Sequence, residues 1–151
     1  MILKNVYYRT HLAFTNDGVG NEYEYWFEFD ECCLHFANDA DFERCEYPKQ
    51  DSKPIPTTES EMEPSAGLPS SFINAKLIKI ISDEDVPFYM YFDNGGIIEL
   101  SIAFNHMPDP SSGMYWDISF YTLSYIEANS ELKEGLQVAL KNGTLIYPHA
   151  I

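Results

Sequence analysis

VPFYMYFDNGGIIELSIAF, residues Val86–Phe104, has the pattern of a β-hairpin with one face buried in a hydrophobic core. The segment between its arms, Asp93-Asn94-Gly95-Gly96, contains Asn-Gly and Gly-Gly pairs, which accept the positive φ angles of tight turns. Apolar side chains alternate along both arms at Phe88, Met90, Phe92, Ile98, Leu100, Ile102 and Phe104. The positions between them are polar or aromatic. The hairpin therefore predicts a sheet with one core face and one face rich in tyrosine.

The flanking sequence extends this hairpin in both directions. Phe72–Ser82 before it and Met114–Tyr125 after it have strand character, so that four consecutive strands fit an antiparallel meander. Ser130–Asn142 is predicted to be a helix, with Ser130 as its N-cap and Gly143 just beyond its end. Its apolar stripe consists of Leu132, Leu136, Ala139 and Leu140. The predicted fold class is α+β, a mainly antiparallel meander sheet with a C-terminal helix packed on one face.

The length of the chain, 151 residues, predicts a single domain that can bury a real core. A proline-, serine- and glutamate-rich segment at about residues 46–69 has almost no apolar period. We interpret it as a long loop within a single domain that spans residues 1–151. Its composition favours disorder or simple packing over the surface, rather than a functional role.

The charge balance bounds the possible partners. There are 24 Asp and Glu residues against 9 Lys and Arg, which gives a formal net charge of −15. Such a chain is repelled by nucleic acids and by anionic membranes, and it attracts basic proteins. The alternative is that the charge only keeps the protein soluble. The start, MILKNVYYRTHL, lacks the apolar stretch of a signal peptide, and no stretch is long enough to span a membrane, so we expect a cytoplasmic protein.

Two surfaces and one turn are candidates for binding such a partner. The first surface lies on a predicted strand, Glu22–Asp30, whose outward positions are Glu22, Glu24, Trp26 and Glu28, and it extends to Asp30 and Glu31. The second is the non-core face of the meander, with Tyr89, Tyr91, Glu99, Tyr115, Asp117 and Tyr121. The turn is Asp83-Glu84-Asp85. Tyrosine beside carboxylates is typical of protein-binding surfaces, although a helix or loop that covers the second surface would also explain its composition.

Signals for catalysis and metal binding are weak. Asp30, Glu31, Cys32, Cys33, His35 and Cys45 lack the spacing of a structural zinc site, and the three cysteines are expected to be reduced thiols. A hydrolase assembled from His106, Asp109, Asp117 and either Ser111 or Ser112 has no supporting motif. We therefore predict no catalytic residue, no cofactor and no metal.

The hairpin YFDNGGIIELSI, Tyr91–Ile102, in a small acidic α+β chain with a short C-terminal helix, resembles bacterial immunity proteins of contact-dependent and other polymorphic toxin systems. The resemblance implies a protein that binds a cognate toxin, often a basic nuclease, and blocks it with carboxylates that stand in for phosphates. It assigns no individual residue. The expected function is non-catalytic inhibition of a basic protein partner. The alternatives are a small-molecule-binding domain with an aromatic pocket and, third, a hydrolase.

Overall fold

The computed structural model describes residues 1–15, 18–36, 42–83, 87–104 and 114–148. For residues 11–15, 18–22, 102–104 and 114–116 within these ranges, the structure describes the backbone but not the side chains. The strands, in chain order, are β1 Leu3–Thr15, β2 Gly18–Phe29, β3 Cys33–Phe36, β4 Phe42–Cys45, β5 Lys53–Pro54, β6 Thr57–Thr58, β7 Leu68–Pro69, β8 Leu77–Ser82, β9 Phe88–Phe92, β10 Ile97–Phe104, β11 Met114–Tyr121 and β12 Thr144–Tyr147. The helices are α1 Leu123–Ala128, α2 Ser130–Asn142 and a short 3₁₀ helix, Ser70–Phe72.

The predicted meander forms the second of two five-stranded sheets, in the order β11-β10-β9-β8-β12. The predicted hairpin is confirmed as β9 and β10, with Glu99 opposite Tyr89. Gly95 in its turn has φ +83°, as the Asn-Gly pair predicts. The buried face carries Phe88, Met90, Phe92, Ile98 and Leu100, also as predicted, while the side chains of Ile102 and Phe104 lie outside the described part.

A first sheet, in the order β4-β3-β2-β1-β5, packs against the meander. Its strands pair antiparallel throughout. One cluster of buried side chains draws on both sheets, including Leu3, Phe27, Leu34, Ile80, Met90 and Ile98. Phe36 of the first sheet meets Phe88 of the second edge to face, with ring centroids 5.3 Å apart. The core therefore lies between two facing sheets, an arrangement that the sequence pattern did not predict.

The two helices cover the other face of the meander sheet, which confirms the predicted position of the C-terminal helix. A second, smaller cluster joins helix to sheet through Ile81, Tyr89, Ile97, Ile126, Leu136 and Ala139. The limits of α2 agree with the prediction, but its N-cap is Asn129, whose side chain accepts a hydrogen bond from the Leu132 N–H at 3.1 Å. Leu140, predicted to face the sheet, is 40% exposed.

Helix α1 replaces the last residues of a predicted strand. The strand predicted over Met114–Tyr125 ends at Tyr121, because Thr122 caps α1 by accepting a hydrogen bond from the Tyr125 N–H at 3.2 Å. The Thr122 hydroxyl also donates to the Glu61 carbonyl at 2.6 Å. The proline-rich segment is thereby attached to the start of α1. It also supplies β5, which pairs with β1, and the parallel pair β6 and β7.

Candidate functional site

An acidic cleft of about 530 Å³ lies at the end of the first sheet where β2 leads into β3. We use the name "acidic cleft" for the concavity whose wall carries the four carboxylates Glu28, Asp30, Glu31 and Glu46. Its other polar lining includes Lys4 and Tyr47. Glu28, Asp30 and Glu31 belong to, or extend, the first predicted surface. The cleft therefore brings together the C-terminal part of that surface and three polar residues that sequence reasoning did not select, Lys4, Glu46 and Tyr47.

The turn between β2 and β3 fixes two of these carboxylates. The Phe29 N–H donates to the Cys32 carbonyl at 2.8 Å, which closes the turn around Asp30 and Glu31. The Ile2 N–H donates to the Asp30 carboxylate at 2.8 Å, and this backbone hydrogen bond holds the pKa of Asp30 below its usual range. Asp30 therefore stays ionised at neutral pH, and its position is tied to the start of the chain.

The negative charge of the acidic cleft is largely unbalanced. Among the described residues, Glu28, Glu31 and Glu46 form no ion pair. Lys4 is the basic residue in the lining, and its ammonium donates to the Asn74 side chain at 2.9 Å. Tyr47 is 76% exposed beside these carboxylates, and tyrosine is enriched in protein–protein interfaces relative to the rest of the surface. The arrangement offers carboxylates and an aromatic ring to a positively charged group.

The other half of the first predicted surface is neutralised within the chain. The Glu24 carboxylate lies 2.6 Å from an Arg9 nitrogen and 3.8 Å from Nε2 of His35. Arg9 also reaches Asp51 at 3.3 Å. Glu24 is therefore a poorer ligand for an external cation than Glu28, because its charge already has a partner. The side chain of Glu22 lies outside the described part of the chain.

The alternation of the strand implied that Trp26 is exposed among carboxylates. The structure shows instead that it is buried. It is 3% exposed, with the His35 ring stacked on it at 4.6 Å and the Arg9 guanidinium 5.8 Å from its ring centre. Both covering residues come from neighbouring strands. His35 of β3 lies opposite Trp26 itself, and Arg9 of β1 lies opposite Glu24, two residues before Trp26 on β2. Alternation along one strand gives the face of a residue, but it does not show what the paired strands place over it.

The second predicted surface lies under the helices. Tyr89 is 8% exposed, and the Tyr91 hydroxyl donates to the Leu136 carbonyl of α2 at 3.2 Å. Tyr121 stacks on Tyr125 of α1 with ring centroids 5.7 Å apart. The alternative explanation of its composition, cover by a helix, is thus what the structure shows for these tyrosines. Asp117 remains exposed, while the side chain of Tyr115 lies outside the described part.

Glu99 is the charged group at the centre of this covered face. It accepts a hydrogen bond from the Tyr121 hydroxyl at 3.4 Å and another from Tyr89. Burial raises the pKa of Glu99 despite these two donors, because the charged form loses water. Burial also raises the pKa of Tyr91 and of Tyr121 to about 12 and raises that of Tyr89 as well. These tyrosines are therefore neutral donors at physiological pH.

A shallow groove of about 660 Å³ runs beside α2. Its lining includes Asp83, Tyr89, Leu132 and Leu136. Asp83 is half-buried there, whereas Glu84 and Asp85 of the predicted acidic turn lie outside the described residues. Its volume falls within the range of small-molecule pockets, about 300–1,000 Å³.

The residues considered for metal binding do not form a metal site in the part of the chain that the structure describes. Within the described ranges, no three His, Cys, Asp or Glu side chains are placed to hold a metal ion. Cys33 faces Cys45 across β3 and β4, while the Cys32 thiol lies 3.4 Å from the Met1 sulfur. Of the hydrolase candidates, His106, Asp109, Ser111 and Ser112 fall outside the described residues.

Glu46 and Tyr47 are the acidic and the aromatic residue of the cleft that sequence reasoning missed. They follow β4, and pairing of β4 with β3 carries them to the end of β2 where Glu28 lies. In the sequence they begin the proline-rich segment, whose composition predicts a long loop. The available signal was the short pattern Phe42–Cys45 after Cys33–Phe36, which is compatible with a hairpin but too short to predict one.

Searches against protein-family models, curated proteins and solved structures found no match to this chain. In the part of the chain that the structure describes, neither helix combines the length and apolar character needed to cross a membrane.

Proposed function

We propose that this chain is a non-catalytic binding protein that neutralises a basic protein partner, in the manner of an immunity protein that blocks a toxin nuclease domain. The acidic cleft is the observation that carries the proposal. It concentrates Glu28, Asp30, Glu31 and Glu46 in one concavity of a chain whose net charge is −15. A protein with this field attracts basic partners from a distance and repels nucleic acids.

The electrostatic state of the cleft supports direct contact with cationic side chains. Asp30 is ionised and fixed by the Ile2 N–H, and Glu31 and Glu46 are exposed. Because they lack internal ion pairs among the described residues, a partner would not have to displace one. Tyr47 adds apolar area at the same place with a small loss of side-chain entropy. Carboxylates that line a concavity can pair with lysine and arginine side chains that protrude from a nuclease and would otherwise bind phosphate.

The resemblance of the hairpin segment to immunity proteins suggests which kind of basic protein is the partner, namely a cognate toxin. A large secreted toxin encoded directly upstream would supply the partner, and its toxic domain is the protein to test. Inhibition then requires no chemistry from this chain. It requires a rigid display of negative charge, which the two packed sheets provide.

A matched pair of charge reversals tests the proposal. Glu31→Lys with Glu46→Lys alters the cleft, while Glu63→Lys with Glu134→Lys makes the same change of net charge at exposed positions elsewhere. We expect the cleft variant to associate with the toxic domain roughly tenfold more slowly than the control variant, at the low end of electrostatic steering effects. Stopped-flow measurement at 50 and 300 mM NaCl, about the range over which screening changes strongly, should also show a smaller salt slope for the cleft variant.

Comparison of the two double variants distinguishes binding at the acidic cleft from attraction by the overall net charge. If both double variants lose the same amount of association rate and salt dependence, net charge alone governs binding, and the cleft is not the contact surface. If neither variant changes the association rate or its salt dependence, and the toxic domain is still inhibited, the proposed electrostatic binding of a basic partner is wrong.

A second candidate function is the binding of a small molecule in the groove beside α2. Its volume of about 660 Å³ and its lining by Tyr89 and Leu136 favour this alternative. A thermal-shift screen with metabolites measures it, because a ligand that binds only the folded state raises the melting temperature. Loss of that shift in a Leu132→Ala variant would assign the ligand to the groove.

A further inference from the structure

Cys33 and Cys45 are directly opposite each other on the antiparallel strands β3 and β4. Such residues have Cα atoms about 4.5 or 5.5 Å apart, and both values fall within the range that a disulfide spans, about 4.4–6.8 Å. The Cys45 thiol already contacts Cys33. Cys33 hydrogen-bonds with Cys45 through the side chains, and Sγ of Cys45 donates to the Cys33 carbonyl at 3.6 Å.

The position of this pair connects it to the acidic cleft. Glu28 lies opposite Cys33 on β2, so that Glu28, Cys33 and Cys45 form one row across three strands. Glu46 and Tyr47 follow Cys45 immediately, and β4 is an edge strand of the first sheet. A bond between the two cysteines would therefore hold an edge strand to its neighbour at the point where the cleft begins.

We propose that Cys33 and Cys45 are the site of a reversible cross-strand disulfide, which forms by exchange with a disulfide of the oxidised glutathione type and fixes the segment that carries Glu46 and Tyr47. Cys32 is excluded from this bond. It precedes Cys33 in the chain, and its thiol lies against Met1 at 3.4 Å. The bond itself does not depend on the proposed function, because its formation requires no partner.

The exchange is balanced in two steps. The Cys45 thiol, which is less buried than that of Cys33, loses its proton and attacks one sulfur of oxidised glutathione. The glutathione S–S bond breaks, one glutathione leaves as a thiolate and takes up a proton, and Cys45 carries a mixed disulfide. The Cys33 thiol then loses its proton and attacks the Cys45 sulfur. The mixed S–S bond breaks, and the second glutathione leaves as a thiolate and takes up a proton. Two protein thiols become one disulfide, and the two electrons reduce oxidised glutathione to two glutathione molecules.

The surroundings make this exchange slow at neutral pH. Burial raises the pKa of both thiols, and the charge of Glu28 raises that of Cys33 further. Because the thiolate is the attacking form and the pKa of Cys45 is raised, the rate should still be rising with pH at pH 9. This slope distinguishes the buried pair from an ordinary exposed thiol, whose rate levels off near its pKa of about 8.5.

The experiment incubates the folded protein with oxidised glutathione, quenches with acid, unfolds the chain and labels its thiols with N-ethylmaleimide. The reduced protein carries three free cysteines, and we expect labelling to fall by two, leaving Cys32 as the labelled site. Mass spectrometry without reduction should show a peptide linked through Cys33 and Cys45, and dithiothreitol should restore full labelling. A Cys32→Ser variant should behave in the same way, whereas Cys33→Ala and Cys45→Ala should each abolish the link.

Three results would overturn the proposal. They are a link that includes Cys32 in the wild-type protein, a stable glutathione adduct on Cys45 with no second step, and full labelling after incubation at pH 9. Circular dichroism of each variant separates these outcomes from misfolding. Hydrogen exchange in residues 42–47 tests the structural consequence. It should be slower in the oxidised protein, and an unchanged rate would show that the bond does not fix this segment.

Discussion

At the scale of single residues, Glu99 tests how much the burial of a carboxylate lowers the stability of this fold. Burial beneath the helices raises its pKa, so the folded state binds a proton more tightly than the unfolded chain. The stability gained from the protonated form is complete below the unfolded pKa and is lost as the pH rises through the folded pKa. Glu99→Gln keeps a neutral side chain that can accept a hydrogen bond from Tyr121 or Tyr89. We expect this variant to be more stable than the wild type at pH 7, with an advantage that shrinks towards pH 4.

Urea denaturation at pH 4, 5, 6 and 7 measures this difference. Glu134→Gln, at an exposed position of α2, is the control and should show no such pH-dependent gain. A Glu99→Gln protein that is less stable than the wild type at pH 7 would mean that the hydrogen bonds from the two tyrosines outweigh the desolvation of the carboxylate.

Residue positions were predictable where a local rule determines them. Gly95 has the positive φ that its Asn-Gly pair predicts, because that preference is a property of the residues themselves. Trp26 was predicted on the correct face of its strand, but its burial depends on Arg9 and His35 from other strands. No pattern within one strand shows those neighbours.

At the scale of elements, the attachment of α2 to the sheet depends on a narrow part of its apolar stripe. Leu136 is 5% exposed, whereas Leu140, one turn later, is 40% exposed. We expect Leu136→Ala to lower the free energy of unfolding by about 2–5 kcal/mol, the usual cost of a buried leucine, because it leaves a cavity against the sheet. Leu140→Ala should change it by about 0.5 kcal/mol or less, as is usual at the surface. Urea unfolding followed by circular dichroism compares them, and equal losses would place Leu140 in the helix–sheet contact.

Elements with strong periodicity were predicted well, and short ones were not. The limits of α2 and the central hairpin follow from 13 helical residues and from clear alternation. Helix α1 has 6 residues and begins inside a segment that alternates like a strand, so its capping by Thr122 was not visible in that pattern. Strands β3 and β4 have 4 residues each. Because they position Glu46 and Tyr47, the part of the acidic cleft that was missed is the part that depends on them.

At the scale of the whole molecule, the fold places carboxylates in three different surroundings. Glu99 lies between the meander sheet and the helices, where tyrosines solvate it. Glu24 is paired with Arg9 on the outer face of the first sheet. Glu31 and Glu46 remain exposed at the acidic cleft. The composition predicts the total charge but not this distribution, because the pairing of the strands determines which carboxylates have internal partners.

The total charge itself makes a prediction about stability. With 24 acidic and 9 basic residues, the folded chain repels itself, and salt should relieve this by screening over about 10 Å at 0.1 M ionic strength. We expect the melting temperature, measured by circular dichroism, to rise as NaCl is added up to about 0.3 M, where screening of surface charges is strong.

Glu63→Lys with Glu134→Lys changes the net charge by two units at each site, from −15 to −11, and should therefore show a smaller rise. Equal slopes in the two proteins would mean that salt acts through the hydrophobic core rather than through repulsion between carboxylates.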